Sequence, residues 1–214
     1  PSQFMREIIL ISFLGPDQPN QFTRLMQVLS VHSLQILDVG QAVIHNQLTL
    51  GIVVSSNDQT ATALAMKDIL ILAHDIGLTV RFKPLSSQEY DQWVSEGGRT
   101  RYIVTAFAPE LTAADLQAVT KIVSGQGFNI ETVTRLSERL SLDSPEEQHR
   151  RACVQFGLKG QMLDAQAMRA ACLRLSNELN VDVAVQEDNV YRRNRRLVCF
   201  DMDSTLIEQE VIDE

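Results

Sequence analysis

Two carboxylates one residue apart, Asp201 and Asp203, follow a short apolar run, Leu197-Val198-Cys199-Phe200, and precede Ser204-Thr205. An apolar run of this length reads as a strand buried on both faces, the kind found in parallel sheets. Ligands of open α/β sheets gather beyond the carboxyl ends of such strands, so both aspartates would project into the crevice a substrate enters. Thr205 to Glu214 reads as helical. Carboxylate oxygens suit a hard divalent cation, and Mg²⁺ commonly takes one or two while phosphate oxygens and water complete its shell. The same pair can divide nucleophilic from acid–base work if one group is ionised while the other holds a proton. A metal at one carboxylate and a phosphate beside the other would separate their titrations. A bare Asp-x-Asp is common in solvated turns, and here the strand, the Ser-Thr pair and the helical continuation favour catalysis.

The string from Phe200 to Glu210, Phe-Asp-Met-Asp-Ser-Thr-Leu-Ile-Glu-Gln-Glu, resembles the first motif of haloacid dehalogenase-type phosphatases, and within them the phosphoserine phosphatase family. The resemblance implies Mg²⁺ as cofactor, held with the help of Asp201 and Asp203. It implies Asp201 as the nucleophile that takes up the phosphoryl group and Asp203 as the general acid that protonates the leaving alkoxide. Glu210 matches the family's substrate-binding glutamate, and O-phospho-L-serine is the implied substrate. An aspartyl-phosphate splits one difficult transfer into two easier ones, and a neighbouring carboxyl can donate a proton and later activate water. Four residues follow Glu210, so the family's later motifs have no room. The chain is therefore expected to be the amino-terminal part of a longer phosphatase and to hydrolyse nothing by itself.

Whatever positions that motif lies upstream, and composition bounds it. The 214 residues suffice for two small domains, and 44% hydrophobic content is that of an ordinary globular protein. A net charge of −8 provides no global basic field for a nucleic-acid backbone, and nucleic acid is excluded as an expected partner. The one dense basic run, Arg192 to Arg196, reads as a solvated linker. Cys153, Cys172 and Cys199 are odd in number and lack metal-ligand spacing, as reduced thiols of a cytoplasmic protein would. Neither a signal peptide nor a membrane span is expected, and no membrane partner.

Arg6 to Leu14 reads as a strand, broken by Gly15-Pro16-Asp17-Gln18-Pro19. Phe22, Leu25, Met26 and Leu29 then share one helical face, with Pro19 suiting the first turn. Ile36 to His45 and Leu48 to Ser55 read as a hairpin. Asp58 can cap a helix whose apolar positions are Ala65, Ile69, Leu72 and Ile76, closed by Gly77 before a last strand, Leu78 to Leu85. The order is βαββαβ, two helices on one face of an antiparallel sheet. It repeats after the polar stretch Ser86 to Gly98, where Trp93 is expected to pin the segment to a neighbouring surface. Strands are expected at Arg101 to Ala108, Phe128 to Leu136, Ala152 to Leu158 and Val181 to Gln186. Helices follow from Leu116, Val119 and Val123, and from the cap Asp164 with Met168, Ala171, Cys172, Leu175 and Leu179. Residues 137 to 151 read as a long hairpin excursion.

Tandem units of this kind ahead of a phosphatase motif resemble ACT domains, regulatory modules of amino-acid metabolism. The fold class expected is α+β: two ferredoxin-like βαββαβ, ACT-like domains followed by the first strand and helix start of a haloacid dehalogenase-type domain. The bounds are 1–86 and 100–188 for the modules, 87–99 for the linker, and 189–214 for linker plus incomplete phosphatase domain. By the resemblance, Gly15 to Asn20 is the ligand-binding turn, Asp17 and Asn20 are the regulatory-ligand residues, and L-serine or another amino acid is the ligand. Asn20 stands where the family usually has glycine, and the second unit's turn, Ala108-Pro109-Glu110-Leu111-Thr112, lacks the glycine altogether. Strands such as Leu48 to Ser55 are too apolar for water, so module pairing, within a chain or in a homodimer, is expected. The competing function is a free-standing amino-acid sensor with a vestigial motif.

Overall fold

The computed structural model describes residues 6–98, 100–139 and 151–193. They fall into two compact units divided between Gly98 and Arg99. Asp201, Asp203 and Glu210 lie outside the described residues, as does most of the expected excursion between 137 and 151.

The first unit runs β1 (Glu7–Pro16), α1 (Gln21–Val31), β2 (Gln35–Ile44), β3 (Gln47–Ser56), α2 (Gln59–Asp75) and β4 (Thr79–Leu85). Its antiparallel sheet has the order β2-β3-β1-β4. Alternation along the inner strands puts Ile9, Ile11 and Phe13 of β1 and Leu48, Leu50, Ile52 and Val54 of β3 on the face that α1 and α2 cover with Leu25, Leu29, Ala65, Ile69 and Ala73. Burying Phe13 or Ile52 completely contributes about 2 kcal/mol each. The side chains of β3 expected to seek a partner module are thus largely satisfied inside their own unit, because β3 is an inner strand. The apolar surface left in water belongs instead to the edge strand β2, where every residue but Leu37 is exposed, including Ile36, Val39, Val43 and Ile44. An edge with unpaired backbone groups and exposed β-branched side chains is prone to pairing.

Helix α3 (Ser87–Glu96) follows, where a polar linker was expected. A capping box starts it: Ser86 accepts from the Glu89 N–H while the Glu89 carboxylate accepts from the Ser86 N–H. None of its residues is buried. Trp93, 45% exposed, packs on Tyr90 with ring centroids 5.8 Å apart, a local contact rather than the expected anchor.

The second unit repeats the plan with β5 (Arg101–Ala108), α4 (Ala113–Gly125), β6 (Asn129–Arg135), β7 (Ala152–Lys159), α5 (Ala165–Leu179) and β8 (Asp182–Glu187), in the order β6-β7-β5-β8. Its core joins Val104, Ala106, Phe156 and Leu158 to Val119, Val123, Met168, Cys172 and Leu175. Corresponding edge strands carry the same irregularity, between Ile36 and Asp38 in β2 and between Ile130 and Thr132 in β6. Left-handed residues end the helices in matching places: Ser33 and Gly127 after the first helix of each unit, Gly77 and Asn180 after the second. The two units are therefore copies of one βαββαβ design. A short helix, α6 (Val190–Arg193), follows β8.

Candidate functional site

The turn between β1 and α1 lies at the end of the first sheet where three chain reversals meet. Gly15 closes the strand against the turn after α2. A methyl group on Gly15 would stand 2.7 Å from the Gly77 carbonyl oxygen and 2.9 Å from a Leu78 methyl, so glycine is required here by closeness rather than by dihedral angle. The Asp17 N–H donates to the Asn46 carbonyl at 2.8 Å, tying the turn to the β2–β3 hairpin. That hairpin turns at His45 and Asn46, both left-handed, as a two-residue primed turn demands.

Gln21, 3% exposed, joins these pieces, and the sequence analysis passed over it. Its Nε2 donates to the Pro16 carbonyl at 3.1 Å and to the Ile76 carbonyl at 3.4 Å, while its Oε1 accepts from the Gln18 N–H at 3.0 Å. The available signal was its place four residues before Leu25 and eight before Leu29, the other two buried residues of α1. Gln21→Met keeps the volume but leaves three backbone groups without their side-chain partner. It is expected to destabilise the first unit by about 1.5 kcal/mol in chemical denaturation.

Asn20 is the N-cap of α1, with φ 67° and ψ 2°, and its side chain caps nothing. The helix starts at Gln21, so Pro19 lies before it rather than in its first turn, a correction set by the left-handed geometry of Asn20. The first N–H groups of α1 thus have no side-chain acceptor among the described residues, while Asp58 caps α2, Ser86 α3, Thr112 α4 and Asp164 α5. Asp17 is exposed beside them, its carboxylate without a partner among the described residues. Open donors with a helix dipole behind them complement a carboxylate, and a free aspartate complements an ammonium.

The corresponding turn of the second unit is closed. Thr112 accepts from the Asp115 N–H at 3.2 Å, and the Asp115 carboxylate accepts from the Thr112 hydroxyl at 2.7 Å and N–H at 2.8 Å. The Thr112 hydroxyl, and then its N–H, hold the Asp115 carboxyl below its ordinary value of 3.8. A lowered folded-state pKa stabilises above the unfolded value and is lost as the pH falls through the folded one. Asp115→Asn should therefore lower the melting temperature of the second unit at pH 7 and have little effect near pH 2, read by circular dichroism at both.

Among the described residues no three His, Cys, Asp or Glu side chains could hold a metal ion, and no helix is long and apolar enough to cross a membrane. Cys153 and Cys172 are free thiols, and burial pushes the Cys172 thiol up.

A family model for the ACT domain matches residues 7–83, the first ferredoxin-like unit with its tight glycine turn. The paired architecture also resembles a solved structure, an unknown protein from Galdieria sulphuraria, with a TM-score of 0.65 and 16% identity over 86% of this chain and 99% of that one. The chain is 32% identical over 210 residues to a phosphoserine phosphatase of Mycobacterium tuberculosis, covering 96% of this chain and 47% of that protein. It is 26% identical to a phosphoserine phosphatase of Streptomyces coelicolor, covering 96% and 46%. The chain spans about half the length of these curated relatives. The first unit thus matches the ACT family, and the chain is similar over nearly its whole length to the phosphoserine phosphatases.

Proposed function

We propose that this chain is the amino-terminal regulatory, amino-acid-binding and dimer-forming region of a Mg²⁺-dependent phosphoserine phosphatase, whose catalytic domain follows a linker within residues 189–214. The observation that carries the proposal is the Asp201-Met202-Asp203-Ser204-Thr205 motif directly downstream of two ACT-type units. The parent enzyme hydrolyses O-phospho-L-serine to L-serine and phosphate. Asp201 attacks phosphorus, the bond to the serine oxygen breaks, and Asp203 gives its proton to that oxygen. Asp203 then takes a proton from water, which attacks the aspartyl-phosphate and releases phosphate. Glu210 receives the substrate's ammonium. Mg²⁺, for which the Asp201 carboxylate and the substrate phosphate are fitting hard donors, would supply charge neutralisation at the phosphoryl group.

L-Serine is the proposed regulatory ligand of the first unit. Its carboxylate meets the open N–H groups at the start of α1, and its ammonium meets Asp17. The second unit, with its helix start occupied by Thr112 and Asp115, does not bind it. Pairing of two copies of the chain through the exposed edge β2 would bring the turn near a seam, and in a homodimer that contact is isologous. Serine then regulates by favouring one of two module arrangements, which requires a different affinity for each.

Calorimetry of L-serine against the protein, with Asp17→Ala beside it and sedimentation for oligomeric state, tests this. Millimolar-range binding, worth about 4 kcal/mol, should be lost on Asp17→Ala and accompany a dimer. A monomer that evolves no heat with serine leaves the modules a structural role alone.

A further inference from the structure

The face of the second sheet turned away from α4 and α5 holds a cavity of about 220 Å³ that no part of the phosphatase or serine-binding reading uses. Its floor comes from Ile103, Gln155 and Gly157, its wall from Arg101, Glu131 and Thr132, and its roof from Asp188 and Arg192 at the end of β8 and in α6. Gly157 has an ordinary backbone, yet a methyl group there would stand 2.3 Å from the Thr132 hydroxyl of the paired strand. The missing side chain therefore makes room for that hydroxyl against the cavity.

Arg192, expected to lie in a solvated linker, is folded down instead. Its guanidinium donates to Gln155 Oε1 at 2.9 Å and reaches Asp188 at 3.5 Å. Docking strips water from Nε without supplying an acceptor among the described residues. Two cations, Arg101 and Arg192, and two carboxylates, Glu131 and Asp188, line the cavity, Lys159 pairs with Glu131 from outside that lining, and the Glu131 pairs are loose, at 3.5 and 3.7 Å. Lys159 is the most enclosed of the three cations, its side chain only 10% exposed. Charges in the lining balance, yet donors still face the cavity: two guanidiniums, one with a buried Nε that no acceptor among the described residues meets, the Thr132 hydroxyl and the Gln155 amide. A buried donor without an acceptor costs about 1–3 kcal/mol, so a ligand that brings acceptor oxygens is favoured there.

We propose that this cavity, roofed by Arg192 and floored by Gly157, binds a small oxyanion, a phosphate or carboxylate group, that fastens α6 to the open face of the second sheet. The volume admits a tetrahedral phosphate or a short dicarboxylate and excludes a nucleotide. Bound oxygens accept from Arg192 and Arg101 at once, so occupancy holds α6 down. Arg192 lies nine residues before Asp201 in the chain, which places the anion at the joint between the second unit and the phosphatase motif.

The test is nitrogen-15 NMR of arginine Nε–H and backbone amide signals during separate titrations with inorganic phosphate, malonate and, at matched ionic strength, chloride. A saturable shift at Thr132, Gln155 and Arg192 with phosphate or malonate, absent with chloride, is the expected result, and whichever of the two saturates names the source of the oxyanion. Arg101→Gln, at a half-exposed side chain that folding tolerates, should weaken the apparent affinity about tenfold. Glu131→Gln, which removes a competing carboxylate, should strengthen it. Opposite signs for these two variants are not expected of a merely structural pair. Shifts that do not saturate, or that chloride reproduces, show an adventitious ion only and overturn the proposal; so does saturable binding that neither variant changes.

Discussion

Asp201→Asn, in a form of the protein long enough to carry a whole phosphatase domain, is expected to lower phosphate release from O-phospho-L-serine by about a thousandfold or more, a barrier increase of about 4 kcal/mol. An amide is too poor a nucleophile to accept the phosphoryl group, so no covalent intermediate forms and only background chemistry remains. The variant should melt at the same temperature and bind serine at the first unit unchanged, since Asp201 lies far along the chain from the turn at residues 15–20. Asp203→Asn should differ in kind. Without its proton donor the enzyme fails with an alkoxide leaving group but retains more of its first step on an aryl phosphate, whose leaving group needs no proton. Turnover of phosphoserine that survives Asp201→Asn, measured by released phosphate, would sink the assignment of the nucleophile and with it the phosphatase reading.

Gly15→Ala should have the largest effect among the described residues that shape the ligand turn. The added methyl meets the Gly77 carbonyl at 2.7 Å, and this neighbour is backbone that cannot rotate aside. The β1–α1 and α2–β4 turns must then part, straining the Gln21 bonds that span them, at a cost of about 3 kcal/mol. For a unit of this size that is a drop of about 10 °C or more in melting temperature. Gly51→Ala is the control. Its methyl would find only a Leu10 methyl at 3.9 Å, and restricting the unfolded chain there should be neutral or mildly stabilising. Equal melting temperatures for the two variants would show that the close approach at Gly15 is not a constraint on the turn. Serine binding read alongside stability separates loss of the pocket from loss of the fold.

Much of this protein was legible locally. Period-two patterns placed the eight strands of the described residues to within about two residues, and period-3.6 patterns found the buried faces of their four covering helices, because those periods record which side of an element is buried. The caps at Asp58 and Asp164 and the left-handed glycines 77 and 127 follow from the chemistry of single residues, and so were readable from composition at one position. The proposed catalytic pairing of Asp201 with Asp203 is likewise read from two residues close together in sequence, and both lie outside the described residues.

Strand order decided what periodicity could not. An apolar strand looks alike whether it lies inside a sheet or on its edge, so only the topology shows that β3 is covered and β2 is bare. Gly15 and Gln21 gained their roles from a turn some sixty residues away, and Arg192 left the solvent because Gln155 and Asp188 stand where its guanidinium can reach. Each is a meeting of residues distant in sequence, and a free energy that belongs to such a meeting is written only in the folded chain.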